Sequence, residues 1–287
     1  MADLLSKTNS LGGSMTIVDI KKAHRQSDLP RHWWQGWLCF VLDQSVSFLM
    51  THEDYVLTPV ELMRFNAGID KMKDGVPLAY LTSEQEFFGR VFTVNEHTLI
   101  PRPDTERLVE VVLDWVREGS MVSGKILDLG TGSGCVAITL AKELPKWSVL
   151  AVDFSADALS VAMNNAKKLT ADNCAFVQSD WYQNIHHTFD IIVSNPPYIA
   201  DDDEHLAGLT AEPIMALVAD DGGLADIRRI IHGAKKYLNK QGLLIIEHGH
   251  DQRQSVQAIF EQCGYQAIMT MQDYGGNDRL TMGVCDD

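Results

Sequence analysis

Nothing in this 287-residue chain offers a disulfide framework, a zinc site, a membrane span or a broad basic field. Its five cysteines, Cys39, Cys135, Cys174, Cys263 and Cys285, are odd in number, scattered and never spaced as C-x-x-C, so the compartment reads as reducing. The longest apolar runs, WLCFVL and GLLII, fall far short of the about 20 residues that a bilayer-crossing helix needs, and the opening MADLLSKTNS has no h-region. A formal net charge of -15 leaves no surplus of lysine and arginine to neutralise phosphates, which argues against tight nucleic-acid binding. Internal repeats and low-complexity tracts are absent as well. A soluble, cytoplasmic globular protein is the expectation. The length is comfortable for two domains, and 45% hydrophobic residues are enough for a sizeable core.

Residues 1–14, MADLLSKTNSLGGS, precede a second methionine and read as a leader outside the fold. From 15 to 82 there is no strand-like alternation, but WLCFVLDQSVSFLM and PVELMRFNAGIDKM cluster apolar residues at helical spacing, so a small helical domain is expected, with Trp33, Trp34 and Trp37 read as core. Residues 83–102 turn to β-branched and aromatic residues around a glycine, predicting a linking β-hairpin. In the remaining part, 103–287, DTERLVEVVLDWVRE predicts a helix with Asp104 as its N-cap. After it come seven short apolar runs, GKILDLG, SVLAVD, CAFVQSD, FDIIVSN, GLLIIEHG, QAIMTMQ and RLTMGVC, separated by helical segments until the last two. This pattern predicts an α/β domain with a seven-stranded Rossmann-like sheet covered by helices. DYGGND, between the last two runs, is too short for a parallel crossover, so the final strand must run antiparallel.

Chemistry collects at the carboxyl ends of these strands, where open α/β sheets bind ligands. In ILDLGTGSGCVAITLA, a buried strand meets Gly130, Thr131, Gly132, Ser133 and Gly134 and then a helix start, a turn that lets the backbone approach a ligand closely. The spacing G-x-G-x-G, with Asp128 before it, differs from the G-x-G-x-x-G of dinucleotide proteins. The next strand ends in Asp153, a carboxylate able to accept both hydroxyls of a ribose. The third ends in Asp180 and Trp181, suited to an adenine edge and face. Each residue alone reads better as a turn glycine or a strand-end cap; as an ordered set they describe a site for an adenosine-containing cofactor. The acidic lining, without a phosphate-neutralising Arg or Lys in the turn, suits the sulfonium of S-adenosylmethionine better than a pyrophosphate. In SNPPYIADDD two prolines, which cannot donate to a β ladder, stop the sheet right after FDIIV.

DLGTGSG, AVD, SDW and NPPY, in this order, resemble class I S-adenosylmethionine-dependent methyltransferases that modify a planar exocyclic or amide nitrogen. GVPLAYLTSEQEFFGRVFTVNEHTLIPRPDTE, NPPYI, EPIMAL, IIEHG and DYGGNDR narrow the resemblance, over roughly residues 75–284, to the release-factor glutamine N5-methyltransferases, the HemK/PrmC family. The resemblance implies methyl transfer from S-adenosylmethionine, leaving S-adenosylhomocysteine, to the side-chain amide N5 of a glutamine in a peptide-chain release factor, with no metal and without a membrane or nucleic-acid partner. It implies that the Asn195 side-chain oxygen and the Pro196 carbonyl each accept one amide hydrogen, that Pro197 fixes the turn, and that Tyr198 packs on the planar amide. Gly130 to Gly134, Asp153, Asp180, Trp181 and Asn195 are the implied cofactor-binding residues. Arg102 and Glu106 are implied near the reacting centre. Glu212 follows the catalytic loop, although Ala211 stands where a bulky aromatic is usual. The helical domain is implied to recognise the protein substrate, but RHWWQGWLCFVLDQ replaces the family's acidic, leucine-rich helix.

His248 and His250 are read as strand-end surface groups rather than bases or ligands. A ribosomal-protein glutamine methyltransferase shares the site chemistry. A DNA adenine-N6 methyltransferase would use the same Asn-Pro-Pro-Tyr logic but needs a basic groove and a flipped base. A non-catalytic, ribosome-associated cofactor-binding module is disfavoured by the intact Asn195 and Tyr198, and a nicotinamide oxidoreductase by the glycine spacing.

Overall fold

The computed structural model describes residues 14–25 and 27–286; the stretch read as a leader lies outside them except for Ser14. The chain divides into two compact units, Met1–Ser83 and Glu84–Asp287.

The first unit is helical: α1 (Ile17–His24), α2 (Arg31–Leu42), α3 (Val46–Thr51), α4 (Pro59–Lys73) and α5 (Leu78–Thr82). Reciprocal capping boxes, Thr16 with Asp19 and Thr58 with Glu61, start α1 and α4, each satisfying two otherwise orphaned N–H groups. The run WLCFVLDQSVSFLM spans parts of two helices. Asp43 closes α2 in the left-handed conformation (φ 52°), and the Ser45 hydroxyl starts α3 by accepting from the Phe48 N–H. Trp34 and Trp37 are buried and Trp33 packs against the same cluster. The Trp37 indole N–H donates to the Phe65 carbonyl at 3.0 Å, and the ring lies so close to α4 that a Cβ on Gly68 would stand 2.1 Å from it.

The second unit opens with β1 (Glu84–Phe87) and β2 (Arg90–Thr93), an antiparallel pair joined by Phe88 and Gly89, both at positive φ, as a two-residue hairpin turn requires. A short 3-10 turn, Pro103–Thr105, leads into α6 (Glu106–Glu118). Asp104 does not cap this helix: the half-in residue is Thr105, without a side-chain cap bond, because the 3-10 turn displaces the helix start. Then follow β3 (Lys125–Leu129), α7 (Cys135–Glu143), β4 (Ser148–Asp153), α8 (Ala156–Leu169), β5 (Cys174–Gln178), β6 (Phe189–Ser194), α9 (Ala225–Ala234), β7 (Leu238–Glu247), α10 (Arg253–Gln262), β8 (Gln266–Gln272) and β9 (Asp278–Val284).

Seven strands form one sheet in the order β5-β4-β3-β6-β7-β9-β8. The first five are parallel, and β9 runs antiparallel between β7 and β8. The α/β reading with an antiparallel final strand therefore holds. Side chains alternate across the sheet with period two. Ile191, Val193, Leu243 and Ile245 meet α6 and α7 in one apolar layer; Ile192, Leu244 and Ile246 meet α9 and α10 in the other. The order reverses between β3 and β6, so the loops after these strands splay apart and leave a crevice at their carboxyl ends.

Candidate active site

That crevice is a cavity of about 530 Å³. Its wall includes Gly130, Thr131, Gly132, Ser133, Asp153, Asp180 and Trp181 together with Arg102, Asn195 and Pro197. Gly134, Pro196, Tyr198 and Glu212, also singled out in the sequence, are absent from the lining.

The glycine turn is held from three sides. The N–H groups of Gly130 and Thr131 both donate to the Val152 carbonyl at 2.9 Å, the Gly132 N–H donates to Asp153 Oδ2 at 2.8 Å, and the Thr131 hydroxyl donates to Asp128 Oδ2 at 2.6 Å. From the rear, the fully buried Asn165 of α8 donates to the carbonyls of Ser133 and Thr93 and accepts from the Thr93 N–H, tying turn, helix and hairpin together. Gly130, Gly132 and Gly134 all have positive φ. A Cβ on Gly132 would meet only open space, so this face of the turn is bare toward the cavity.

Asp153 also accepts from the Ser155 N–H at 2.9 Å. Each carboxylate oxygen thus spends one lone pair on the backbone and keeps another. Burial pushes the Asp153 carboxyl up, against the pull of these N–H groups. Burial likewise raises Asp128 to about 7, opposed by the Thr131 hydroxyl and reinforced by the Asp153 charge. Asp180 accepts from Arg229 at 2.8 Å, and the Trp181 indole donates to Asp226 at 3.1 Å; Trp181 itself sits at φ 47°, its ring within contact of the Cβ position of Gly130. Residues 98–102 are fastened to the far wall by Glu212, whose carboxylate accepts from the Ile100 N–H at 3.0 Å and pairs with Arg102. Glu106 does not line the cavity; it accepts from the Phe88 N–H at 2.8 Å and secures the hairpin turn.

At the tip of β6 the Asn195 amide group donates through Nδ2 to the Thr105 hydroxyl at 3.2 Å. Its Oδ1, and the carbonyl of the buried Pro196, accept from nothing among the described residues. Tyr198 continues the turn, with its carbonyl held by Gln252 at 2.9 Å. Gly223 allows this close approach, because a Cβ there would stand 2.1 Å from that carbonyl oxygen. The Tyr198 hydroxyl donates to Glu247 Oε1 at 3.4 Å, and burial pushes its pKa up. Glu247 is the residue that reading IIEHG for its histidines passes over. It is 1% exposed, and burial raises its carboxyl to about 7, offset in part by Thr105, Arg279 and Tyr198. The available signal was a carboxylate closing the run LLII, which must sit at the end of a buried strand. His248 is not the surface group expected: it is fully buried, with Nε2 at 2.9 Å from the Thr281 hydroxyl and Nδ1 at 2.8 Å from the Gly249 carbonyl, a structural link to β9. His250 is exposed. Among the described residues no cluster of three or more His, Cys, Asp or Glu is arranged to hold a metal ion, and no helix is long and apolar enough to cross a membrane.

The family model for the methyltransferase small domain matches residues 108–220, and that for the PrmC N-terminal domain matches residues 20–82. The release factor glutamine methyltransferase of Aliivibrio fischeri is 42% identical over 86% of this chain and 87% of its own length; that of Vibrio cholerae is 43% identical over 86% of each. A methyltransferase crystal structure from Pyrococcus furiosus, 16% identical, superposes with a TM-score of 0.51 over 77% of this chain and 98% of its own, a likeness of fold. With a strand-tip cavity, a bare glycine turn and relatives at this identity over most of its length, the chain belongs to the release factor glutamine methyltransferase family.

Proposed function

We propose that this protein transfers the methyl group of S-adenosylmethionine to the side-chain amide N5 of a glutamine in a peptide-chain release factor, in the cytoplasm. The substrate class follows the names of the relatives. The observation that carries the chemistry is the Asn195 amide, anchored by Nδ2 to Thr105 with no partner on Oδ1 among the described residues, on a residue of the cavity wall that also carries the glycine turn. The residues present fit the cofactor: the bare face of Gly132 admits close approach, Asp153 keeps acceptor capacity for ribose hydroxyls, and Asp180 and Trp181 flank the place for a purine. Bound there, the cofactor supplies an electrophilic methyl carbon on a sulfonium.

The protein's part is to make a poor nucleophile react. An amide nitrogen shares its lone pair with the carbonyl, the resonance behind a rotation barrier of about 18–20 kcal/mol. Asn195 Oδ1 and the Pro196 carbonyl each accept one N–H of the acceptor, fixing the plane of its amide. Pro197 stiffens the turn and Tyr198 backs it. A hydrogen bond contributes a net ~1 kcal/mol, whereas orientation of two reactants can supply about 7–11 kcal/mol of a barrier, so positioning outweighs polarisation. Arg102, held by Glu212, closes the rim. We assign residues 15–82 to substrate recognition, 83–102 to the linking hairpin and 103–287 to catalysis.

The test is to incubate the full chain with methyl-labelled S-adenosylmethionine and, separately, a release factor, a ribosomal protein and duplex DNA, then locate the label by mass spectrometry. Label on a glutamine side chain of the release factor alone is expected. Label confined to either other acceptor, or to none, contradicts the assignment.

A further inference from the structure

Four polar side chains, Thr105, Asn195, Tyr198 and Glu247, are packed around the tip of β6. The period-two alternation that sends Ile191 and Val193 toward α6 puts Asn195 on the same side, and the alternation of Leu243 and Ile245 puts Glu247 there too. The parallel register pairs Ser194 with Ile246, so Asn195 and Glu247 are lateral neighbours, both facing Thr105 at the start of α6. Thr105 is buried, Glu247 is 1% exposed, and Glu247 Oε2 has no hydrogen-bond partner at bonding distance. The Thr105 hydroxyl lies close enough to pull the Glu247 pKa down.

A carboxyl so buried is unfavourable as an anion unless it is paired or hydrogen-bonded, and otherwise holds its proton. An ionised carboxylate accepts hydrogen bonds and cannot donate them. Thr105 has a single hydroxyl proton. If that proton goes to Glu247, the lone pairs of Thr105 are left for Asn195, which must turn Nδ2 toward them and Oδ1 away, toward the cavity. Tyr198, on the other flank of the two prolines, donates to the same carboxylate. A charge on Glu247, with Thr105 turned to donate to it, would set the direction of the hydrogen bonds on both sides of the Pro-Pro turn.

We propose that Glu247 is a positioning residue for methyl transfer, acting through Thr105 to hold Asn195 with its side-chain oxygen presented to the acceptor amide. This rests on the role given to Asn195 above. When Glu247 takes up a proton it becomes a donor, the Thr105 proton is released toward Asn195, and the oxygen is no longer presented. The charged and titratable groups facing Glu247 are Tyr198 after β6, Asp104 before α6, Arg279 on β9 and Cys135 at the start of α7. Arg279 is paired with Asp273 at 3.1 Å. With the carboxyl at about 7, the single-turnover rate should fall as pH drops through that value.

The experiment compares the full-length wild type with Glu247→Gln, Thr105→Val, Thr105→Ser and Asn195→Ala. It measures thermal melting, S-adenosylhomocysteine affinity by calorimetry, and single-turnover methylation of a release factor from pH 5.5 to 9. Glu247→Gln and Thr105→Val are expected to keep affinity within about three-fold, to lose about 10- to 100-fold in rate at pH 8 and to lose the acidic limb of the profile, while Thr105→Ser restores both rate and limb. Should Glu247→Gln fail to fold, Thr105→Val and Thr105→Ser decide alone. An unchanged rate and acidic limb in the variants, with Asn195→Ala still inactive, overturns the role of Glu247. Undiminished transfer in Asn195→Ala overturns the reading of the site itself.

Discussion

Gly132 and Gly134 stand two residues apart in one turn and answer to different constraints. Both have positive φ, but a Cβ on Gly132 points into open space, whereas a Cβ on Gly134 would stand 2.7 Å from Ile138 Cδ1 and 3.1 Å from the Ala162 Cβ. The first glycine leaves an open face on the cavity wall, and the second allows the packing of α7 against α8. Gly132→Ala is therefore expected to lower stability by only about 1 kcal/mol, the left-handed penalty, and to weaken S-adenosylhomocysteine binding by about tenfold or more. Gly134→Ala adds overpacking to the same penalty and is expected to lose roughly 2–4 kcal/mol in denaturant unfolding. Equal stability losses, with binding untouched in Gly132→Ala, would contradict this division. Both glycines are visible in GTGSG, but which one meets the ligand is not, because that depends on α8 folding back against the turn. Thr105 illustrates the limit more sharply. Its neighbour Asp104 has the composition of a cap, and only the 3-10 turn over Pro103–Thr105 moves Thr105 under the tip of β6.

At the scale of elements, the strands carry carboxylates into places with little access to water. Asp128, in β3, is buried and its carboxyl is raised to about 7 by desolvation, with the Thr131 hydroxyl opposing and Asp153 reinforcing. The consequence for stability follows from proton counting. Between the unfolded value of 3.8 and about 7 the folded chain holds a proton that the unfolded chain has lost, so stability declines as pH rises across that window and levels off above it. The slope from this one group is at most about 1.4 kcal/mol per pH unit. Asp128→Asn, which has no proton to lose, should flatten the fall in unfolding free energy between pH 5 and 7; an unaltered slope in urea titrations would show that Asp128 is not protonated in the folded state. The alternation of apolar runs and helices made these strands legible before their neighbours were known, and the short DYGGND link was enough to reverse β9. The charge state of the strand ends was not legible, since it depends on burial from both sheet faces. The same holds for His248, which reads as a surface residue in EHGH and becomes a buried link to Thr281 once β9 is laid beside β7. The helical unit is helical as its apolar spacing predicts, and the left-handed conformation of Asp43 divides the run WLCFVLDQSVSFLM into α2 and α3.

Across the whole molecule, the acidic surface and the placement of every proposed contact on one rim of the sheet favour a single, shaped acceptor over a polyanion. The family model for the helical unit matches residues 20–82 although RHWWQGWLCFVLDQ departs from the family's usual helix, and the tryptophans behind that departure, Trp34 and Trp37, are spent on its core. The account as a whole depends on Asn195 contributing far more to orienting the acceptor than to holding the cofactor. Its most direct test is Asn195→Ala in the full chain, with single-turnover methylation of a release factor measured beside S-adenosylhomocysteine affinity by calorimetry. Transfer should fall by about a hundredfold or more while affinity stays within a few-fold. Near-native transfer, or affinity lost in proportion to rate, would contradict it.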